Sequence, residues 1–192
     1  MAAMRIIGGE RRGHRLVEWR AAGIRPLRDR VRASLFDTLG ELVVGADFLD
    51  LFAGTGAVGL EALSRRARRA TFVDSSGKAV RIIRANLKKL RYEDRAEVMR
   101  ADALEAIAGL WRRGKRFDLV FIGAPYSRGL TQRALEQLAM YPLLREGGLV
   151  IVEVHRSEDL RSRYGPLRLV RDRDYGDSRL AFFEFASGEE SP

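Results

Sequence analysis

Between residues 46 and 155 the chain alternates short apolar runs with amphipathic segments, and this alternation restricts the possible folds more than any other feature. The runs predicted as strands are ADFLDLF, RATFVD, AEVMRAD, FDLVFIG and EGGLVIVEV. The segments predicted as helices are GAVGLEALSRR, GKAVRIIRANLKKL, ALEAIAGLWRR and TQRALEQLAMY. Such alternation is typical of a mostly parallel sheet with helices on both faces. We therefore predict an α/β fold, which ends in an antiparallel hairpin over GPLRLVRDRDYGDSRLAFFEF.

The first 42 residues precede this alternation and differ from it in pattern. MRIIGGERRGHRLVEW predicts a hairpin around a Gly- and Arg-rich turn. RPLRDRVRASLFDTLGEL predicts a helix that starts near Pro26 and Asp29, with arginines on its polar faces. Its apolar stripe consists of Val31, Leu35, Leu39 and Leu42. We divide the chain into a basic hairpin and helix (1–42), a cofactor-binding domain (43–186) and a frayed tail (187–192).

The composition excludes several classes of protein. The 192 residues include no cysteine, so disulfides and thiolate metal sites are excluded, and a reducing cytoplasm is expected. Apolar runs are too short to predict a membrane span or a secretory signal peptide. The two histidines, His14 and His155, have no metal-ligand spacing. We expect a monomer that uses no metal.

Charge indicates an anionic partner. The net charge is +9, and residues 1–40 contain nine arginines against four acids. Arginine suits bidentate phosphate contacts, so clustered arginine favours nucleic acid as the partner. A general preference for arginine remains an alternative, because the whole chain has 31 arginines and four lysines.

The strongest local motif is FLDLFAGTGAVGLEAL, where Gly54, Gly56 and Gly59 form Gly-x-Gly-x-x-Gly between a strand and a helix. Glycines permit a tight turn and let a ligand approach the backbone beside the positive N-terminus of the helix. Asp74 ends the next predicted strand, 20 residues after Gly54, where a carboxylate can accept both hydroxyls of a ribose. A purely structural turn is the alternative.

An acid before the loop separates two classes of cofactor. Asp50 precedes Gly54 by four residues, an anion that would repel a pyrophosphate but suits an ammonium and a sulfonium. S-adenosylmethionine carries both cations, and Asp102 before Ala103 can accept from its adenine amine. A nicotinamide dinucleotide is the alternative cofactor. The residues predicted to contact the cofactor are Asp50, Phe52, Ala53, Gly54, Gly56, Asp74, Asp102 and Ala103.

Four stretches, in order, resemble the bacterial small-subunit ribosomal RNA guanine-N2 methyltransferases, the RsmD-like family. They are RIIGGERRGHRL, RPLRDRVRASLFDTL, FLDLFAGTGAVGLEALSR and FDLVFIGAPYSRGL, and the likeness covers residues 4–185. The resemblance implies a seven-stranded Rossmann-like methyltransferase fold that binds S-adenosylmethionine. It also implies a guanine N2 in small-subunit rRNA, or in an assembling small subunit, as the target, with the N-terminal hairpin and helix on the RNA side.

The sequence departs from that family at the end of the fourth strand. There the family has Asp or Asn, two prolines and an aromatic, whereas this chain has Gly123, Ala124, Pro125 and Tyr126, the candidate catalytic residues. The aromatic can stack on a flipped base, and the carbonyl of Ala124 can accept from the amine, but the side-chain acceptor is missing.

Three interpretations of this departure stay open. The enzyme aims the amine with backbone carbonyls or a water, or it uses a substitute carboxylate such as Glu153, or it binds RNA without catalysis. Tyr126 can also be a simple packing residue. The residues predicted to contact nucleic acid are Arg11, Arg12, Arg25, Arg30 and Arg128.

Overall fold

In the computed structural model, residues 4–18, 27–126 and 129–186 are described, and their strands form one sheet. The strands are β1 (Asp47–Leu51), β2 (Arg69–Asp74), β3 (Ala96–Arg100), β4 (Phe117–Ile122), β5 (Leu144–His155), β6 (Arg163–Tyr164), β7 (Leu167–Tyr175) and β8 (Ser178–Phe185). Their order is β3-β2-β1-β4-β5-β8-β7-β6, with β1 to β5 parallel and the rest antiparallel. The predicted α/β fold is confirmed. Beyond the seven strands that the resemblance implies, the described sheet has the two-residue β6.

Helices cover both faces of the sheet. They are α1 (Asp29–Leu39), α2 (Ala57–Ser64), α3 (Gly77–Leu90), α4 (Ala103–Arg112) and α5 (Leu130–Met140). Buried side chains of α1, α2 and α3 form one hydrophobic cluster, and those of α4 and α5 form the other. Short 3-10 turns lie at Gly9–Arg11, Gly40–Val43 and Glu93–Arg95. No described helix is both long enough and apolar enough to cross a lipid bilayer.

The N-terminal segment pairs with itself over a shorter length than the predicted hairpin. One antiparallel bridge joins Arg5 to Arg15, and the Ile6 amide donates to the His14 carbonyl at 3.0 Å. The side chains of Ile6 and Leu16 are buried in the same cluster as α1 and α2. Residues before the predicted boundary at residue 42 therefore share a hydrophobic core with residues after it. A role for residues 1–42 on the RNA side stays a prediction.

The predicted faces of α1 need two corrections. Leu42 is 55% exposed, because α1 ends at Leu39 and a 3-10 turn rotates Leu42 away from the core. Arg32, predicted on a polar face, is only 1% exposed. Its position shares the helical stripe of Leu35 and Phe36, three and four residues further on. Arg32 therefore lies on the buried face.

A buried carboxylate explains why an arginine is tolerated there. Glu61 of α2 is fully buried, and its carboxylate lies 3.8 Å from the guanidinium of Arg32. It accepts from the amides of Ile7 and Gly8 at 2.8 and 2.7 Å and from Arg65 at 2.9 Å. Burial lowers the pKa of Arg32, while the charge of Glu61 opposes that shift. This network attaches the N-terminal segment to α1 and α2.

Candidate active site

A cleft lies at the carboxyl ends of β1, β4 and β5, the edge where open α/β sheets bind ligands. Four predicted cofactor residues line it: Asp50, Phe52, Ala53 and Gly54. Gly123 and Glu153 line the same cleft. The fold therefore brings the glycine loop next to the end of the fourth strand.

The loop between β1 and α2 uses its three glycines differently. Gly54 and Gly56 have φ angles of 57° and 78°, in the left-handed region that glycine adopts without strain. A Cβ on Gly54 would meet no atom within 4 Å, so this glycine faces open space. A Cβ on Gly59 would lie 2.4 Å from the ring of Phe72. Gly59 therefore permits close packing of α2 on β2, while Gly54 leaves room for a ligand.

Asp74 connects the end of β2 to this loop. One carboxylate oxygen accepts from the Gly54 amide at 2.8 Å, and the other accepts from the Ser76 amide at 2.8 Å. Each carboxylate oxygen can accept more than one hydrogen bond. Asp74 thus retains the capacity to accept further hydrogen bonds, and its predicted contact with ribose hydroxyls stays a prediction.

Asp50 is an acid in an apolar setting. It is 2% exposed and accepts from the Gly59 amide at 2.9 Å. Burial, with a smaller contribution from Asp74, raises the pKa of Asp50 to about 8, against the lowering effect of the Gly59 hydrogen bond. This shift favours the protonated, neutral form of Asp50 in the ligand-free protein, so the group is not a permanent anion. A cation placed beside it would favour the carboxylate, which fits an ammonium group better than a phosphate.

Asp102 and Ala103, at the start of α4, differ from each other in exposure. β3 ends at Arg100, so Asp102 follows the strand instead of ending it. Its exposed carboxylate caps α4 by accepting from the amides of Leu104 and Glu105 at 2.9 and 3.2 Å. Ala103 is buried in the first turn of α4. A contact of either residue with adenine stays a prediction.

At the end of β4, an aromatic ring occupies the space beside Gly123. A Cβ on Gly123 would lie 2.9 Å from the ring of Phe121, closer than side chains normally approach. The Gly123 amide donates to the Leu51 carbonyl at 3.2 Å, and Ala124 is buried. The Phe121 ring therefore occupies the space that a side chain at position 123 would need, and glycine at this position avoids the clash.

Tyr126 differs from the exposed aromatic that the Pro-Tyr turn predicts. Its ring is half-buried, and its hydroxyl donates to the Glu153 carboxylate. The Ser178 hydroxyl lies 3.2 Å from the same oxygen, and the His155 ring meets the tyrosine ring edge-on at 5.8 Å between centroids. Glu153 is 7% exposed and also lines the cleft. The structure thus joins Tyr126 to the carboxylate that the sequence offers as a substitute acceptor.

Sequence reasoning assigned no role to His155 or Ser178 in this cluster. Glu153 and His155 stand two residues apart on β5, a spacing that places both side chains on one face of the sheet. This two-residue spacing was the one feature of the sequence that could have placed His155 beside Glu153. Ser178 reaches the cluster through the pairing of β8 with β5, opposite His155, which no local pattern predicts.

The arginines predicted to contact nucleic acid are widely separated. Arg30 is exposed in the first turn of α1, on the side of the cleft. Arg11 donates to the carbonyl of Leu90, the last residue of α3, at 3.1 Å. Because the helices run antiparallel to the parallel strands, Arg11 lies at the edge of the sheet opposite the cleft. Arg12 is exposed in the same turn, while Arg25 and Arg128 lie outside the described residues. The role of all five stays a prediction.

Within the described ranges, no group of three or more histidines and acids is placed to hold a metal ion. The expectation of metal-free chemistry remains a prediction.

The sheet order, the glycine loop after β1 that Asp74 supports and the cleft lined by Asp50 define a class I methyltransferase. The open space at Gly54 and the buried acid fit S-adenosylmethionine, the cofactor on which this class of enzyme depends. The chain belongs to the family described as Conserved hypothetical protein 95, whose model matches residues 4–184. The resemblance to the RsmD-like family is confirmed.

Relatives of known name agree with this assignment. The putative rRNA methyltransferase YlbH of Bacillus subtilis is 34% identical over 94% of this chain and 98% of its own length. The ribosomal RNA small subunit methyltransferase D of Escherichia coli is 37% identical over 78% of this chain and 74% of its own. Among solved structures, the putative methyltransferase yhhF from Escherichia coli superposes with a TM-score of 0.82 at 33% identity, over 94% of this chain and 97% of that one.

Proposed function

We propose that the protein methylates the exocyclic N2 of a guanine in small-subunit rRNA, free or within an assembling subunit. The names of the relatives support the rRNA, and the family resemblance supports the guanine amine. The observation that carries the proposal is the position of Glu153, a buried carboxylate in the cleft beside Gly123 and bonded to Tyr126.

The chemistry requires such an acceptor because the lone pair of a guanine amine is delocalised into the ring. Acceptors for its two hydrogens draw the nitrogen toward a tetrahedral geometry and aim its lone pair. We assign these roles to the Glu153 carboxylate and to the carbonyl of Ala124. Glu153 would then replace the side chain that position 123 lacks.

Tyr126 would hold the flipped base. Stacking of a base on an aromatic side chain stabilises binding by about 1–3 kcal/mol. The hydrogen bond from Tyr126 to Glu153 fixes the ring relative to the carboxylate. One contact thus orients both the stacking surface and the acceptor.

The cofactor residues follow from the cleft. Asp50 would pair with the ammonium, Asp74 would accept the ribose hydroxyls, and Gly54 would let the ligand approach the backbone. When bound, S-adenosylmethionine supplies an electrophilic methyl group on a positively charged sulfur, which departs as a neutral thioether. The nitrogen becomes acidic once alkylated, and its proton leaves to water, directly or through Glu153.

The family assignment favours this function over the nicotinamide alternative. A cytoplasmic, monomeric enzyme that needs no metal completes the proposal. The rRNA substrate supports the cytoplasmic location.

The test is methyl transfer from labelled S-adenosylmethionine to small ribosomal subunits, and to protein-free rRNA, from cells that lack this activity. We expect transfer by the native protein and a loss of about 10²-fold or more in Glu153→Gln, because one positioned polar group is typically worth that much. Glu146→Gln is the matched control, an exposed acid on the same strand. Equal activity of the two variants would remove Glu153 from the mechanism, and no transfer by the native protein would favour a non-catalytic RNA-binding role.

A further inference from the structure

A groove runs between the start of α1 and the hairpin formed by β7 and β8. Four exposed arginines line it, two from each wall: Arg28 and Arg30 on the helix side, Arg171 and Arg173 on β7. Arg171 and Arg173 are two residues apart on a strand, so their side chains share one face. The groove therefore presents positive charge from two elements that are distant in sequence.

The acids in the groove are already engaged. Asp37 pairs with Arg65 at 3.6 Å, and Asp174 accepts from Arg179 at 2.8 Å, both of these arginines lying outside the groove lining. By contrast, neither Arg30 nor Arg171 makes an ion pair with any described residue. Arg28 has one loose ion pair, with Asp177 at 3.9 Å, so the excess of positive charge in the groove comes mainly from Arg30, Arg171 and Arg173.

Both walls of the groove adjoin the active-site cleft. Arg28 follows Leu27, which lines the cleft. On the other wall, the turn after Tyr175 leads directly into Ser178, which pairs with His155 at the end of β5 and lies 3.2 Å from the Tyr126 hydroxyl. A polymer whose reactive unit lies in the cleft therefore has the groove next to it.

An aromatic ring accompanies the charges. Tyr175 is partly buried in the groove lining, and the guanidinium of Arg173 lies 5.5 Å from its ring centroid. Cations that follow a backbone, combined with an aromatic on which a base can stack, are the usual elements of single-stranded nucleic-acid binding. We propose that this groove binds the phosphodiester backbone of the unpaired nucleotides next to the target base. The proposal rests on the RNA substrate of the proposed function and adds the surface that holds it.

The test compares Arg171→Gln/Arg173→Gln with Arg69→Gln/Arg112→Gln, a pair of equal charge at the opposite edge of the sheet. Binding of protein-free small-subunit rRNA is measured by fluorescence anisotropy over a range of salt concentrations. For the groove variant we expect at least a tenfold weaker Kd and a shallower salt dependence, with a change of about 0.7 in slope per lost contact. Its thermal midpoint and its affinity for S-adenosylhomocysteine should equal those of the control.

A second variant, Arg28→Gln/Arg30→Gln, tests the opposite wall independently. Weaker rRNA binding in both groove variants supports the proposal. Binding equal to that of the control overturns it, as does a defect seen with subunits but not with protein-free rRNA, which would assign the groove to a ribosomal protein. Because binding is measured directly, an inactive native protein would count against the proposed methyl transfer and not against the groove.

Discussion

The hydroxyl of Tyr126 donates to the carboxylate of Glu153, so the turn that follows the fourth strand is joined to the carboxyl end of the fifth. This contact separates two functions of Tyr126. In Tyr126→Phe the ring remains and the hydrogen bond is lost, so we expect mainly a lower kcat, by about tenfold, for the misplaced acceptor. In Tyr126→Ala the stacking surface is lost too, and KM should rise as well, by roughly 5- to 150-fold for about 1–3 kcal/mol of stacking.

Steady-state kinetics on small subunits distinguish these effects. If Tyr126→Phe equals the native protein, the bond to Glu153 has no part in catalysis. If Tyr126→Ala leaves KM unchanged, the ring is a packing residue.

Asp50 predicts a dependence of stability on pH. The pKa of Asp50 is about 8 in the folded protein, whereas an aspartate in the unfolded chain has a pKa of about 3.9. Between these values the folded state binds a proton that the unfolded state has released, so this group makes the free energy of unfolding fall as pH rises toward about 8. Asp50→Asn should remove that dependence while its amide oxygen still accepts from Gly59.

Urea unfolding at pH 5 and pH 9 checks this prediction. Relative to the native protein, Asp50→Asn should gain stability at the higher pH. The same variant should lose most of its stabilisation by S-adenosylmethionine, because the anion opposite the ammonium is gone. Parallel stability curves would contradict the account of the Asp50 pKa.

Restoring an acid at position 123 should conflict with a neighbouring ring. In Gly123→Asp the new Cβ would lie 2.9 Å from Phe121, so we expect a loss of about 1–3 kcal/mol in stability from overpacking. Phe121→Leu removes the ring atom and should reduce that loss. A double-mutant cycle by urea unfolding measures the coupling, which we expect to exceed about 0.5 kcal/mol. Additive effects would show that the ring moves aside freely.

The buried Glu61 should matter for stability without touching the cleft. Glu61→Gln removes the buried anion beside Arg32 and leaves the partly exposed Asp29, 3.1 Å away, as its counter-ion, so we expect a loss of up to about 3–5 kcal/mol in the free energy of unfolding. Glu41→Gln is the control, an exposed acid that should change stability by less than about 0.5 kcal/mol. Similar values for both variants would mean that the network contributes little.

Local periodicity predicted the strands and helices well because each segment's apolar pattern is set by its own residues. The helix Gly77–Leu90 coincides with the predicted segment. The burial of Arg32 was missed because its buried partner, Glu61, lies 29 residues away in sequence, while the nearer Asp29 is partly exposed and does not indicate burial.

The candidate site divides in the same way. The glycine loop and Asp50 were predictable because they adjoin in sequence. The bond between Tyr126 and Glu153, and the nearby Ser178, depend on the pairing of β4, β5 and β8. Arg11 lies far from the cleft because it contacts the C-terminal end of α3, and that end is at the opposite edge of the sheet. A count of charges along the sequence does not include the direction of a helix.

The most direct measurement is the identity of the nucleoside that carries the label after methyl transfer to small ribosomal subunits lacking this modification. The subunit rRNA is digested to nucleosides and the labelled product is identified by mass spectrometry. Our account predicts N2-methylguanosine, formed by the native protein and reduced to near background by Glu153→Gln. A methylated adenosine or cytidine, or label in protein, would contradict the assignment of the guanine amine.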